Sequence, residues 1–595
     1  MMCLTGLWGV LAAAVSAQTT VTGSITEDTT WSGTVIVQGT VTVVPGVVLT
    51  ISPGTSVLMK SAAALQINGQ LLADGSQSQQ IRFTRELAGV RWKQIKFTNA
   101  ASSRLRHCLF EYANCEGTHL DYYDTDCNSS TTPPARNYHE AIVAIGSHVD
   151  FETCIFQNLP DSTGTREGDA IAIISDDPVT PGAASAHFVG CRFLSIGQGI
   201  HTRFSSIVVE NCYFTDHHGD NDDIDMYGES TPPPMILYNL FENPAHDDMI
   251  NPTRCSAIII GNVVFGSDDH GIVLRDAGFP VVMNNLVYNC AAGGISVQNQ
   301  CDALLINNTI VNCGRGVRLF DHTSRWTPPY CLTPGSGKAT LINCIIWDCP
   351  ESLTLTDSPH PEDRGSHVTV IHCNIEGGQA SAVVSTNSTL TWGAGNINAD
   401  PLFVSATNRH LQAASPCIDA GINPATVTTN PAAVVNSDLD GTARPLDGNG
   451  DGTARFDIGA YEFLLATADS NGDGIPDGWL QGHGLSPVDP SIASGNPDRD
   501  AYTTLDEWLA DTDPNNPLSF LRLDSFDLGP PTNVRLPTSA NRRYTLYYSS
   551  DLAPPGAAWT PVPGQIDVPG NGSVITLTEP GSAARMFYRV GVRVP

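Results

Sequence analysis

Carboxylates crowd into three short stretches of this chain, Asp220-Asn-Asp-Asp-Ile-Asp225, His246-Asp-Asp-Met249 and Asp268-Asp-His-Gly271. Asp223 to Asp248 is 25 residues and Asp248 to Asp269 is 21. If each such length is one turn of a coil, then Asp222, Asp223, Asp225, Asp247, Asp248, Asp268 and Asp269 form a single vertical belt. Two carboxylates about 4.8 Å apart can straddle one Ca²⁺. Without a cation, stacking so many negative charges is costly, so a bound divalent ion or raised carboxylate pKa values are expected. Asp220 and Asp268 read equally well as solvated surface acid. His217, His218, His246 and His270 surround the belt, with Arg275 and Asp276 just downstream. An imidazole titrating near neutrality is a general acid or base, and the clustering singles out His246 and His270. Lysine is confined to Lys60, Lys93, Lys96 and Lys338, far from the belt, so Arg275 is the first candidate for a strong base and His270 the second. His201, Arg203 and Arg318 fall at matching places in neighbouring turns and extend the same face.

These groups meet only if the chain stacks regularly, and a second pattern supplies the ruler. A Cys or Asn followed by an apolar pair recurs as Cys191-Arg-Phe, Cys212-Tyr-Phe, Asn239-Leu-Phe, Asn262-Val-Val, Asn285-Leu-Val, Asn308-Thr-Ile, Cys344-Ile-Ile and Cys373-Asn-Ile. Weaker copies stand at Cys108 and Cys154. From Cys212 onward the intervals are 27, 23, 23 and 23 residues, a period that means stacked repeats. Some eight residues after the ladder position most turns carry Gly and an apolar residue, as in Gly199-Ile200, Gly271-Ile272, Gly294-Ile295 and Gly316-Val317. The belt aspartates lie at or just before that place.

A chain of 595 residues exceeds one ordinary core, and a solenoid escapes the limit because each repeat packs only on its neighbours. The formal charge of -31 argues against nucleic acid and anionic membrane as partners and suits a cation-binding extracellular protein. Residues 1–17, with the apolar run Leu7 to Val15 and small residues before Gln18, read as a signal peptide cleaved after Ala17. No later run approaches the ~18 apolar residues of a spanning helix. Sixteen cysteines in an exported chain would ordinarily suggest disulfides. Six of them share one repeat position with Asn, however, which points to stacked inward turns. Cys115 with Cys127 remains a candidate bridge.

Trp31-Ser-Gly, Val47-Val-Leu-Thr-Ile-Ser-Pro-Gly-Thr and Ile81-Arg-Phe-Thr to Trp92 resemble the opening coils of bacterial right-handed parallel β-helix proteins. Asn284-Asn285 and Asn307-Asn308 are similar to the stacked turns of the pectin-lyase-like superfamily. The resemblance covers about half the chain and implies an all-β solenoid, with capping coils at 18–105 and the β-helix proper at 106–395. Fold alone does not imply activity. Residues 396–465, with Ser415-Pro-Cys-Ile-Asp-Ala-Gly421 and Asp457-Ile-Gly-Ala-Tyr-Glu462, resemble the closing segment of such proteins and read as a C-terminal cap. Residues 466–517 resemble the paired calcium repeats of thrombospondin type 3 and dockerin-like modules, which implies Ca²⁺ at Asp469, Asn471, Asp473 and Asp477 and at Asn496, Asp498, Asp500 and Glu507. The second copy has Ala501 where the family has Gly, so the first is expected to be the better site. Residues 518–595 alternate as a small β-sandwich.

Aspartates on successive turns resemble those of calcium-dependent β-helix pectate lyases. That likeness implies a lyase in which calcium neutralises a uronate carboxylate and a base, here Arg275 or His270, removes the adjacent proton. Glycoside hydrolysis by Asp223 and Asp248 is the second reading, although an inverting pair needs about 6.5–9.5 Å between carboxyl groups. A non-catalytic adhesive protein with structural calcium is the third. In each case the expected partner is a polysaccharide, most simply one containing uronate, and the expected state is a secreted or surface-attached monomer.

Overall fold

Every turn of the coil spends three short strands, and equivalent strands of successive turns pair in parallel to form three stacks. One stack holds 14 strands; the other two are joined through the long strand Thr34–Val43. The chain is a right-handed parallel β-helix, nearly all-β among the described residues, with two short α-helices and a few 3₁₀ turns, all in its C-terminal part. The computed structural model describes residues 18–113, 140–159, 168–175, 183–217, 222–242, 248–322, 335–358, 365–430, 435–527, 529–550, 559–581 and 586–595. The signal-peptide expectation, the Cys115–Cys127 bridge, and His218, Asp220, His246 and Asp247 lie outside them.

The ladder that set the register is a continuous hydrogen-bond column. Asn239 donates to Asn262, Asn262 to Asn285 and Asn285 to Asn308, each at 3.0 Å. Each side chain also accepts the backbone N–H of the preceding ladder residue, as Asn239 does from Cys212 at 2.8 Å. Cysteine replaces asparagine because its Sγ can do the same, Cys191 N donating to Cys212 Sγ at 3.3 Å. The ladder runs one turn further than expected, to Asn396, which accepts from Cys373 N. All twelve described cysteines are buried free thiols, and burial drives the Cys154, Cys191 and Cys212 thiols far from ionisation. The residue before each ladder position turns the corner with positive φ, 54° at Asn284 and 51° at Asn307. Asparagine tolerates that conformation, hence the Asn-Asn pairs.

Inside the coil, Phe83, Phe110, Phe156, Phe193, Phe214 and Phe241 stack with centroids 4.6–5.0 Å apart, matching the strand spacing. The core is one unbroken apolar column. The closing segment is not only an end cap. Asn343 holds Ile422, Asn307 donates to the carbonyls of Asp457 and Gly459, and Asn284 to that of Ser437. The segment thus returns along the flank, where Ala460 and Tyr461 pack on Leu286, Val263 and Tyr288.

The chain divides into two compact units, 1–441 with 457–461, and 442–456 with 462–595. The second contains the helices α1 (Asp477–Gly482) and α2 (Thr504–Ala510), then two small antiparallel sheets around Val534, Leu536, Tyr544, Leu546, Val562 and Leu577.

Candidate functional site

Seven strands of one stack carry the candidate site: β1 (Ile200–Arg203), β2 (Ile224–Tyr227), β3 (Ile250–Thr253), β4 (His270–Arg275), β5 (Gly293–Gln298), β6 (Arg315–Phe320) and β7 (Glu351–Leu355). Their inward register is fixed by Ile200, Ile224, Ile250, Ile272, Ile295 and Val317. On that register one outward column reads Asp222, Asp248, His270. A second reads His201, Asp225, Asn251, Val273, Ser296, Arg318, and a third Arg203, Tyr227, Thr253, Arg275, Gln298, Phe320.

The expected belt is therefore off by one residue at two of its turns. Asp223 does not stand over Asp248. It falls in the column of Gly199, Met249, Gly271 and Gly294, which faces the coil interior: a Cβ at Gly271 would meet Val287 at 2.6 Å, and one at Gly199 the Phe214 ring at 2.9 Å. Asp223 is 2% exposed and pairs with the equally buried His217, which packs edge-on against Phe214 and bonds the Phe193 carbonyl. At the third turn the column member is His270, not Asp269. A one-residue slip moves a side chain to the other face, and the turns vary in length enough to hide it. Counting from the isoleucines instead of the glycines finds the true column.

Asp222, Asp225 and Asp248 each have a partner within the protein. Asp222 accepts from Asn251 Nδ2 at 2.6 Å, and Asp225 faces His201 Nδ1 at 3.2 Å. Asp248, 1% exposed, is gripped by Arg275 Nη2 at 2.6 Å and by His270 Nδ1 at 3.2 Å. His270 Nδ1 also lies 2.8 Å from Asp269, and Arg275 Nε donates to Gln298 at 3.2 Å. Asp268 is exposed, and Asp276 is fully buried in an ion pair with Arg254. Burial works against a charged His270, but its hydrogen bonds to Asp248 and Asp269 outweigh that and push its pKa up to about 9. Its Nε2 is buried and has no hydrogen-bond partner among the described residues.

Asp248, Asp269 and His270 offer ligand atoms within 4.8 Å of one another. Calcium, however, takes six to eight oxygens. This cluster presents an imidazole, and its most buried carboxylate is already neutralised by Arg275. The residues do not fit Ca²⁺.

The acidic repeats of the second unit differ. In the first loop, Asp469, Asn471 and Asp473 accept from the loop's own backbone, Asp473 N reaching Asp469 at 3.0 Å, and Asp477 is held by Ser470. In the second, Asp498, Asp500 and Glu507 bring ligand atoms within 4.8 Å, and Asn496 accepts from Asp500 N. Glu507 is 1% exposed, and among the described residues neither of its carboxylate oxygens has a hydrogen-bond partner. Burial and the charges of Asp498, Asp500 and Asp513 raise its pKa to about 7. Here the donor set does fit calcium. Ala501 does no harm, because this loop takes its positive φ at Arg499, and only the first loop needs a second such residue, Gly474. The better-formed site is the second, against expectation.

The model of the right handed beta helix region matches residues 179–327, which include β1 to β6. No curated protein matches the chain. Among solved structures, tailspike protein 3 of bacteriophage CBA120 is similar at 10% identity and a TM-score of 0.31, over 62% of this chain and 56% of that one. The chain thus spans little more than half the tailspike. Pectate lyase Pel9A is similar at 13% identity and 0.29, over 69% and 88% of the two chains. A periplasmic alginate epimerase is similar at 11% and 0.24, over 60% and 76%. None of these relations assigns a reaction to this chain.

Proposed function

We propose that this protein is a secreted, polysaccharide-cleaving β-helix enzyme whose reaction is hydrolysis at the outward cluster of Asp222, Asp225, Asp248 and His270. One observation carries the reading: Asp248 is clamped between Arg275 and His270, and His270 keeps an unpartnered Nε2. An imidazole protonated up to about pH 9 is a proton donor at neutral pH. Its Nδ1–H is spent on Asp248 and Asp269, so Nε2–H, buried beside Gly293 until a shift of the side chain uncovers it, is the proton it can give to a leaving glycosidic oxygen. Asp248 supplies fixed negative charge opposite the developing sugar cation, and the partly exposed Asp222, one turn away in the same column, is the carboxylate that takes a proton from water. Arg275 holds Asp248 in place.

The same geometry gives less support to calcium-assisted β-elimination. That reaction needs a neutral base, whereas Arg275 is committed to Asp248 and His270 holds its proton. Calcium belongs, in this reading, to the second repeat loop as a structural ion. The experiment is an assay on pectate, alginate and glycosaminoglycans with and without EDTA, following both reducing ends and the ultraviolet absorbance of unsaturated ends. Reducing ends without that absorbance, undiminished by EDTA, are expected. Unsaturated ends that vanish with EDTA would overturn the proposal in favour of the lyase.

A further inference from the structure

Each of four cations on this face stands against an acid: His201 against Asp225, His270 against Asp248 and Asp269, Arg275 against Asp248, and Arg315 against Glu351 at 2.9 Å. Arg318 on β6 differs. Its neighbours in the outward column are Ser296 on β5 and Thr354 on β7, both neutral. It forms no salt bridge among the described residues, and its buried Nε has no hydrogen-bond partner. The guanidinium lies 3.8 Å from the centroid of the Phe320 ring, which fixes its plane. Beside it Ser296 is fully buried, and its Oγ likewise has no partner.

A half-buried guanidinium that no acid contacts directly among the described residues, with Glu351 and Asp269 acting on it only through space, is costly to maintain, and arginine does not escape by losing its proton. We infer that Arg318, with Ser296, is a specificity-determining subsite for an anionic substituent, a carboxylate or a sulfate ester, on the glycan chain. The inference rests on the proposed glycan-cleaving function and names the substrate class. Arg318 is three turns from Asp248, about 14 Å along the axis, so the group it holds belongs to a different sugar from the one at Asp248. A planar fork suits carboxylate and sulfate alike. With a formal charge of -31 the molecule as a whole repels polyanions, so capture requires such a local cation.

The test measures binding and turnover by the full chain with oligogalacturonate, a sulfated glycosaminoglycan fragment, and carboxyl-reduced oligogalacturonate as the neutral control. Arg318→Gln is expected to raise Kd and KM for at least one charged probe by about tenfold to a hundredfold, leaving kcat and the neutral probe unchanged. Arg318→Lys should recover part of the loss, and Ser296→Ala should weaken the same probe less. Which charged probe responds tells carboxylate from sulfate. Equal losses on charged and neutral probes, or no Arg318-dependent binding of either polyanion, overturn the inference. The unmutated chain separates the two proposals: charged-probe binding that depends on Arg318 but is never followed by hydrolysis sinks the enzyme reading and leaves the subsite standing, whereas hydrolysis that Asp248→Asn abolishes without loss of Arg318-dependent binding supports both.

Discussion

Asp248 and Glu507 are both about 1% exposed, and the chain solves the problem of a buried carboxylate in two ways. In the solenoid Asp248 has its counter-charges built in, one guanidinium and one imidazole within hydrogen-bonding distance. In the repeat loop the charges nearest Glu507 are more acid, Asp498 and Asp500, and its oxygens have no hydrogen-bond partner among the described residues. An uncompensated buried charge is worth several kcal/mol of destabilisation, so the second arrangement calls for an ion that the first does not. In the proposed reading, clusters that look alike as strings of aspartates separate into acid–base chemistry and metal binding by what stands next to them.

The sharpest way to break this comparison is to remove the carboxylate that Arg275 and His270 share. Asp248→Asn should lower kcat by on the order of a thousandfold, with little change in the calcium response of the second unit. Activity should also fade as the pH rises through about 9, where His270 loses its proton. The sign for stability follows. The folded pKa lies above the ordinary 6.5, so the His270 ion pairs stabilise fully below about pH 6.5 and that contribution is lost as the pH rises through 9. A pH–rate profile of His270→Gln without this limb would confirm the assignment, and an unchanged limb would refute it.

Asp223 tests the register within the solenoid. Because it is buried in the coil against His217, Asp223→Asn should cost about 3 kcal/mol of stability while sparing kcat per folded molecule. Thermal melts alongside active-site titration decide it. A variant that melts normally but has lost turnover would restore Asp223 to the outward belt.

The solenoid was legible in the sequence because its ladder needs a side chain that accepts an N–H and fits a fixed corner, and only Cys and Asn recur there. The site was legible as a neighbourhood but not to the residue. Turn lengths vary, and the glycines at Gly199 and Gly271 mark an inward column beside the one that matters. The return of the closing segment along the flank left no trace, since Asn284 and Asn307 bind backbone carbonyls, which any residue offers. Ranking the calcium loops by Gly474 against Ala501 weighed the backbone and overlooked the twelfth position, where Glu507 closes the second loop and Leu480 stands in the first.

On the other side of the comparison, EDTA should lower the melting temperature of the second unit and leave hydrolysis intact. A site saturated a hundredfold over its Kd contributes about 2.7 kcal/mol, so the shift is measurable by calorimetry. Glu507→Gln removes the unpaired charge together with the ligand, and should abolish the calcium response while making the calcium-free protein no less stable. A calcium response that survives Glu507→Gln would move the ion to the first loop, at Asp469, Asn471, Asp473 and Asp477.

The smallest expected effect discriminates most finely between the two arrangements. Asp268 belongs to the same acidic stretch as Asp269 and His270, and in a calcium belt it would be a ligand whose loss matters as much as that of its neighbour. In the structure it is exposed, outside the column that Asp222, Asp248 and His270 share. Its charge therefore acts on His270 only through water and salt, at a Debye length of about 8 Å under physiological conditions. Asp268→Asn should then change kcat/KM by less than about twofold and stability by no more than about 0.5 kcal/mol. Asp269→Asn, which takes away the 2.8 Å contact, should shift the alkaline limb of the pH profile downward. If the two variants instead lost activity together and both recovered it with added calcium, the outward cluster would be a metal site after all, and the contrast with Glu507 would collapse.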